Sequence, residues 1–311
     1  MTRELTGSDL LVLRALGLGD LLAGVPALRG LRRRFPGHRL LLAAPATVGG
    51  FLLRRDVVDE VLVTSGLEPL QAKGSGHLAV DLHGNGPASS EVLAATGPAE
   101  LLGFATAGFD GPPWVRHEHE VHRWCRLVAT WGAECGPEDL RLRPRGAPGS
   151  GPVVVHPGAA SEARRWPLER WRAVVATLVG DGLDVVVTGT AEEASRGAAL
   201  AEVGARNRCG ASTLDELAEL VGSARVVLSG DTGTAHLATA LAVRSVLLFG
   251  PTPPAWWGPA LDPDLHTVLW HGPAGAEDYV GDPHGRVLDP TLARIGVEEV
   301  LLAVRHLLAA A

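Results

Sequence analysis

The segment from Val226 to Ala238 passes from the apolar run Val226-Val227-Leu228 through Ser229-Gly230-Asp231-Thr232-Gly233 into the helix-forming Thr234-Ala235-His236-Leu237-Ala238. Such a run reads as a buried strand, and a strand that turns directly into a helix is the repeating unit of a parallel α/β sheet. The turn itself predicts an anion site. Its glycines and hydroxyls let a ligand approach the backbone, and the amides of a first helical turn have no partner within the helix. A phosphate is the natural occupant.

The same design recurs near the N-terminus, where Leu10-Leu11-Val12-Leu13-Arg14 leads into Ala15-Leu16-Gly17-Leu18-Gly19-Asp20. Two such junctions, one per half, suggest two half-sites. The Gly-x-Gly spacing lacks the third glycine of a dinucleotide fingerprint, since Leu22 stands there, so the turn also fits an ordinary βα connection.

Alternation continues along the chain. Strands are expected at 10–14, 39–43, 60–63, 77–81 and 100–104, with helices at about 20–34, 47–54, 87–96 and 118–131. Gly24 and Pro26 interrupt the first helix, which sets its opening turn, with Asp20, apart from the rest. The second half repeats the pattern with strands at 153–156, 184–188, 206–209, 226–229 and 245–249, and helices at 167–179, 192–203, 214–222 and 234–241. Thr213 and Glu216 form a capping box. The last helix, Val297 to Ala310, is amphipathic enough to dock on either domain.

A chain of 311 residues exceeds one ordinary core, and the Pro/Gly-rich stretch Arg143 to Pro152 is the expected linker between domains at 1–148 and 149–311. Net charge is −7, which argues against a nucleic-acid surface. The longest apolar stretch, Leu40 to Leu53, is broken by Pro45, Gly49 and Gly50 and falls short of a membrane span. Arg29, Arg32, Arg33 and Arg34 crowd a helix end, which suits a solvated C-terminus or peripheral membrane contact. Cys125, Cys135 and Cys209 have neither paired nor metal-type spacing. With only Met1 to Asp9 ahead of the first expected strand and no secretory segment there, a cytoplasmic location is expected.

A second constellation follows the strand Val153-Val154-Val155. It runs His156-Pro157-Gly158 and then Arg164-Arg165-Trp166-Pro167, with Pro167 suited to a first helical turn. Strand-end loops of a parallel sheet open on one edge, so Arg164 or Arg165 can meet the ligand of Thr232 to Thr234. A guanidinium with helix-end amides makes a diphosphate clamp. The alternative is local pairing of the arginines with Glu162 or Glu169 while Trp166 packs in the core.

These motifs, with Asp81-Leu82-His83-Gly84, Leu102-Gly103-Phe104 and Phe249-Gly250-Pro251-Thr252, resemble in order those of the ADP-heptose:lipopolysaccharide heptosyltransferases, glycosyltransferase family 9. The resemblance implies the α/β GT-B fold, two Rossmann-like parallel-sheet domains facing across a cleft, the first binding acceptor and the second the nucleotide-sugar donor. It implies an inverting, metal-independent transfer with no cofactor, most plausibly of heptose from ADP-heptose to a glycan or small-molecule hydroxyl. By matching position, Asp20 is the general base, Arg164 stands where the family has a phosphate-binding lysine, and Thr232, Gly233 and Thr234 hold the diphosphate. Asp231 contacts the donor sugar and His236 supports the loop or leaving group. Arginine at 164 keeps the charge and adds a fork, and Gly17 stands where a small polar residue is frequent.

Glu193, with Glu192 as rival, falls near the place of a ribose-binding carboxylate and equally fits a helix start. His117-Glu118-His119-Glu120-Val121-His122 is not His-Glu-x-x-His and reads as a polar helix start. Trp256 and Trp257 fit a stacking rim or loop packing, and Gly281 to Gly285 is a turn-rich loop that could line the acceptor side. Two other functions share the clamp: a nucleotide-sugar epimerase of similar architecture, and a catalytically silent nucleotide-sugar-binding protein.

Overall fold

Continuous apolar runs become strands covered on both faces. The computed structural model describes residues 2–143, 149–276 and 278–309. The chain divides into two compact units, Met1–Leu140 and Arg141–Ala311. Residues 144–148 of the expected linker, and the expected end of the last helix at Ala310, lie outside the described residues.

Unit 1 runs β1 (Arg3–Leu5), β2 (Asp9–Leu13), α1 (Leu18–Ala23), α2 (Val25–Arg34), β3 (Arg39–Ala44), α3 (Ala46–Leu53), β4 (Glu60–Val63), β5 (Ala72–Gly74), β6 (Leu78–Asp81), α4 (Ala88–Ala94), β7 (Glu100–Leu102) and α5 (Glu120–Ala129). Its main sheet is ordered β4-β3-β2-β6-β7 and is parallel throughout, with Leu11 opposite both Leu41 and Ala79. The chain steps outward from β2 to β4 and resumes at β6 on the other side, so its direction reverses between β2 and β6. α1 ends at Gly24 and α2 begins with Pro26 in its first turn, which isolates the short helix that carries Asp20, as the sequence predicts.

Unit 2 runs β8 (Val153–His156), α6 (Leu168–Gly180), β9 (Val185–Val187), α7 (Ala194–Ala201), β10 (Arg206–Asn207), α8 (Leu214–Ser223), β11 (Val226–Gly230), α9 (Gly233–Ala240), β12 (Ser245–Leu248), α10 (Pro254–Trp257), β13 (His266–Leu269), α11 (Pro290–Ala293) and α12 (Val297–Ala309). Its sheet, β10-β9-β8-β11-β12-β13, is again parallel, and here the reversal lies between β8 and β11. Val300, Leu301, Val304 and Leu307 of α12 enter the core of this unit with Trp171 and Val174, which decides between the two docking sites expected for the last helix.

Three strands are additional to the expected set. β1 pairs with β5 in a small parallel ribbon, inside a stretch expected to precede any strand, and β13 closes the edge of the second sheet. Arg3-Glu4-Leu5 and Ala72-Lys73-Gly74 are too short and polar to show strand periodicity. Five expected strands are shorter than read: β6 starts at Leu78, β7 stops at Leu102, β9 covers only 185–187, β10 stops at Asn207 and β12 at Leu248. The capping box at α8 is present in both directions, Glu216 N–H to Thr213 Oγ1 at 3.2 Å and Thr213 N–H to Glu216 Oε2 at 2.7 Å.

Candidate functional site

In open parallel sheets ligands bind beyond the strand C-termini where the strand order reverses. In unit 2 that position lies at the ends of β8 and β11, which lead into Arg164 and into Asp231–Thr234. Arg164 crosses from one to the other: its Nη1 donates to the Asp231 carbonyl at 3.2 Å and lies 3.8 Å from Asp231 Oδ2, while its Nε reaches Ser161 Oγ at 3.4 Å. These are long contacts on a side chain that keeps 21% of its surface exposed, so a cation is held at the turn without being consumed there.

Thr232 is the extended N-cap residue of α9, yet its hydroxyl pairs with Ser229 Oγ at 2.8 Å instead of capping the helix. The first amides of α9 therefore receive no side-chain cap from it. Thr234 is buried, and His236, half-buried on α9, sets its ring edge-on to Trp257 with centroids 5.8 Å apart. Trp256 is buried against Tyr279, so of the two tryptophans it is Trp257 that borders the turn.

Arg165, the other expected clamp residue, turns away: its Nε donates to the Ala159 carbonyl at 2.8 Å and its guanidinium pairs with Glu162. Arg164 thus faces the Asp231 turn, while Arg165 pairs locally. Trp166 is buried beneath them and donates Nε1–H to the Ile295 carbonyl at 3.1 Å. The loop Gly281–Gly285 also belongs to this half. The Pro283 carbonyl accepts from Ser161 Oγ at 2.6 Å and the Gly285 carbonyl from Ala163 N–H at 3.1 Å, bracing the residues just ahead of Arg164.

Glu193 is buried and completes a second capping box. Its Oε2 accepts from Thr190 N–H at 2.8 Å and from Thr190 Oγ1 at 3.3 Å. A methyl group at Gly158 would overlap this carboxylate, so the loops after β8 and β9 close tightly around it. Burial pushes the neighbouring His156 below the ordinary imidazole range against the pull of Glu193, and pushes the Cys209 thiol up to about 11, with Glu193 adding to the rise. Thr190-Ala191-Glu192-Glu193 repeats the Thr-x-x-Glu signature of 213–216, so this role was readable from spacing. Glu192 is exposed.

In unit 1 the reversal lies at the ends of β2 and β6, and there Arg14, Glu120 and Trp124 gather at the Asp20 turn. Arg14 is fully buried. Its Nε donates to the Asp20 carbonyl at 2.5 Å, Nη1 donates to the Leu82 carbonyl, and Nη2 lies 3.4 Å from Glu120 Oε1. The guanidinium lies 4.6 Å from the centroid of the Trp124 ring, and Trp124 Nε1–H donates to Glu120 at 2.9 Å. Gly24 leaves room for this side chain, since a Cβ there would come within 3.0 Å of Arg14 Cδ. One guanidinium therefore pins the Asp20 turn to the end of β6 and to α5.

Asp81 accepts hydrogen bonds from Ser89 and Ser90 hydroxyls at 2.7 and 2.8 Å and from His83 N–H at 2.9 Å. His83 in turn accepts from Ala15 N–H through Nδ1 at 3.2 Å. The His117–His122 segment is a helix start as expected: His119 Nδ1 accepts from Val121 N–H, Glu118 pairs with Arg126, and Glu120 is the buried partner of Arg14 and Arg123. Among the described residues no three His, Cys, Asp or Glu side chains gather as a metal site. The helix-end arginines are engaged within unit 1, Arg32 with Asp59, Arg33 with Asp139 and Arg34 with the Trp131 carbonyl.

Two Rossmann-like units, the second with an arginine-backed helix-end turn at its reversal, define a protein of the GT-B class. Residues 136–278 match the family model described as glycosyltransferase family 9 (heptosyltransferase). Lipopolysaccharide heptosyltransferase 2 of Escherichia coli K12 is 32% identical over 111 residues, 33% of this chain and 32% of that protein, so the match spans about a third of the curated relative's length. A glycosyl transferase family 9 structure from Veillonella parvula shares the fold over 100% of both chains, with a TM-score of 0.79 at 18% identity. The Escherichia coli ADP-heptose lipopolysaccharide heptosyltransferase II structure does so over 97% of this chain and 99% of that one, with a TM-score of 0.74 at 20% identity.

Proposed function

We propose that this protein is an inverting glycosyltransferase that moves a sugar, heptose from ADP-heptose, onto a hydroxyl of a lipopolysaccharide-type glycan, without a metal ion and in the cytoplasm. The observation that carries the reading is the convergence of Arg164 on the Asp231–Thr234 turn at the strand reversal of unit 2, inside the segment that matches the family.

The donor's diphosphate occupies the first turn of α9. Amides of Gly233 and Thr234 face its oxygens, and Arg164 exchanges its long contacts with Asp231 for charge-assisted bonds to the phosphates. Charge that develops on the departing ADP in the transition state is met by the same groups, so binding and leaving-group stabilisation share one site. Asp231 is then placed for the donor sugar's hydroxyls, and His236, backed by Trp257, supports the turn.

Unit 1 supplies the base. Asp20 takes the proton from the acceptor hydroxyl as that oxygen attacks the anomeric carbon from the face opposite ADP, which inverts its configuration. Glu193 has one oxygen committed to the Thr190 cap, and its remaining oxygen is the one that faces a ribose.

The test is incubation with ADP-heptose and lipopolysaccharide from a heptose-deficient strain, in EDTA, following ADP release and acceptor mass. A gain of one heptose with equimolar ADP is expected. Altered donor with no change in acceptor would indicate an epimerase, and donor binding with no turnover a silent binding protein.

A further inference from the structure

We propose that His83 is a second site residue of unit 1, donating a hydrogen bond from Nε2 to the acceptor hydroxyl and aiming that hydroxyl at Asp20. The inference rests on the transferase reading above and deepens it, since it names what orients the acceptor.

Strand order reverses between β2 and β6, so the turns leaving these two strands flank one crevice. Asp20 lies on the first and His83 on the second. Hydrogen bonds tie the turns together: Leu82 N–H donates to the Leu13 carbonyl at 3.1 Å, Ala15 N–H donates to His83 Nδ1 at 3.2 Å, and the single Arg14 guanidinium bonds both the Asp20 and the Leu82 carbonyls. His83 and Asp20 are therefore fixed neighbours within the span of one arginine head.

Next comes the state of the ring. An imidazole that accepts an amide proton at Nδ1 must carry its own hydrogen on Nε2, so the Ala15 bond selects one tautomer and one ring orientation. Asp81 anchors the same residue by accepting from His83 N–H. Burial pushes His83 below the ordinary imidazole range; Asp81 and Asp20 pull it back up, and Arg14 pushes it further down, so the neutral donor form prevails at neutral pH. The ring is half-buried, and Nε2 is neither sealed in the core nor bonded to another described residue.

Chemically, a general base needs the hydroxyl's proton to point at it, with the oxygen lone pair toward the carbon under attack. A neutral N–H that donates to the hydroxyl oxygen leaves the O–H free to face Asp20 and fixes the oxygen's position. A hydroxyl of a glycan fits this pair, being donor to a carboxylate and acceptor from an imidazole at once.

Two substitutions separate this role from a structural one. His83→Asn retains an acceptor oxygen at the δ position for the Ala15 amide and removes the ε donor. His83→Gln retains a donor nitrogen at the ε position. With ADP-heptose and heptose-deficient lipopolysaccharide as probes, His83→Asn is expected to lower kcat by about tenfold or more, and His83→Gln to restore it to within about threefold of the unmodified protein. ADP affinity stays unchanged in both, and the thermal midpoint stays unchanged in His83→Asn, which keeps the acceptor for the Ala15 amide. Unimpaired turnover in His83→Asn, or equal losses in both variants, overturns the inference while the transferase reading stands. Absence of transfer by the unmodified protein overturns the reading and the inference with it.

Discussion

The two strand-to-helix turns, Gly17–Asp20 after β2 and Asp231–Thr234 after β11, share a backbone plan and differ in how each holds its arginine. Arg14 is fully buried, stacked near Trp124 and bonded to two carbonyls and Glu120, whereas Arg164 keeps 21% of its side-chain surface and reaches its partners only at 3.2 to 3.8 Å. A fully buried guanidinium bonded through all three nitrogens is held away from any ligand; its work is to fix the carboxylate-bearing turn. A partly exposed guanidinium with long bonds exchanges partners at little cost, which suits a phosphate site. The same residue type thus serves as scaffold in one unit and, in the proposed function, as ligand group in the other.

Substitutions at Asp20 and the two arginines probe the difference. Asp20→Asn removes the proposed base while leaving the Arg14 bond to the main chain intact, so kcat is expected to fall by about 10²–10⁴ with ADP affinity unchanged, measured by steady-state ADP release. Arg14→Leu strips Glu120 of one partner and frees the Asp20 turn; a loss of ~3 kcal/mol in urea unfolding is expected. Arg164→Ala is expected to cost under ~1 kcal/mol in the same measurement. Comparable losses for the two arginines would break the comparison.

Acid provides a third probe. Burial holds His266, His156, His83 and His77 below the ordinary imidazole range, His266 down to about 4. The unfolded chain takes up protons near pH 6.5 that these folded rings refuse, so stability falls as pH drops from about 6.5 toward 4. His266 alone accounts for roughly 3 kcal/mol of that fall, and it lies in unit 2. Urea titrations at pH 7 and pH 5 are expected to show the loss, and pH-independent midpoints would contradict it. A local effect is expected of Glu193→Gln, which weakens the Thr190 cap by about 1 kcal/mol. A drop in ADP affinity beyond that destabilisation would mark the carboxylate as a ribose contact as well.

The strand-turn-helix junctions were legible because apolar runs, glycines and hydroxyls mark them locally. Gly24 and Pro26 marked the break that isolates Asp20, and Thr190 with Glu193 carried a cap signature as plain as that of Thr213 and Glu216. Arg14 was not legible: its meaning depends on Glu120, 106 residues away, and on Trp124, and no local pattern reports a distant counter-charge. Nor could spacing choose between Arg164 and Arg165, since adjacent residues leave the backbone in different directions and only the fold decides which one meets Asp231. The edge strands β1, β5 and β13 escaped because pairing, not periodicity, makes them.

The central claim is that Arg164 and the first turn of α9 hold a nucleoside diphosphate without a metal. Isothermal calorimetry of ADP, UDP and GDP in EDTA, on the unmodified protein and on Arg164→Ala and Arg165→Ala, tests it most directly. Selective ADP binding that weakens about tenfold or more in Arg164→Ala and hardly changes in Arg165→Ala is the predicted result. Undetectable binding of all three nucleotides by the folded protein, or equal losses in the two variants, would contradict it.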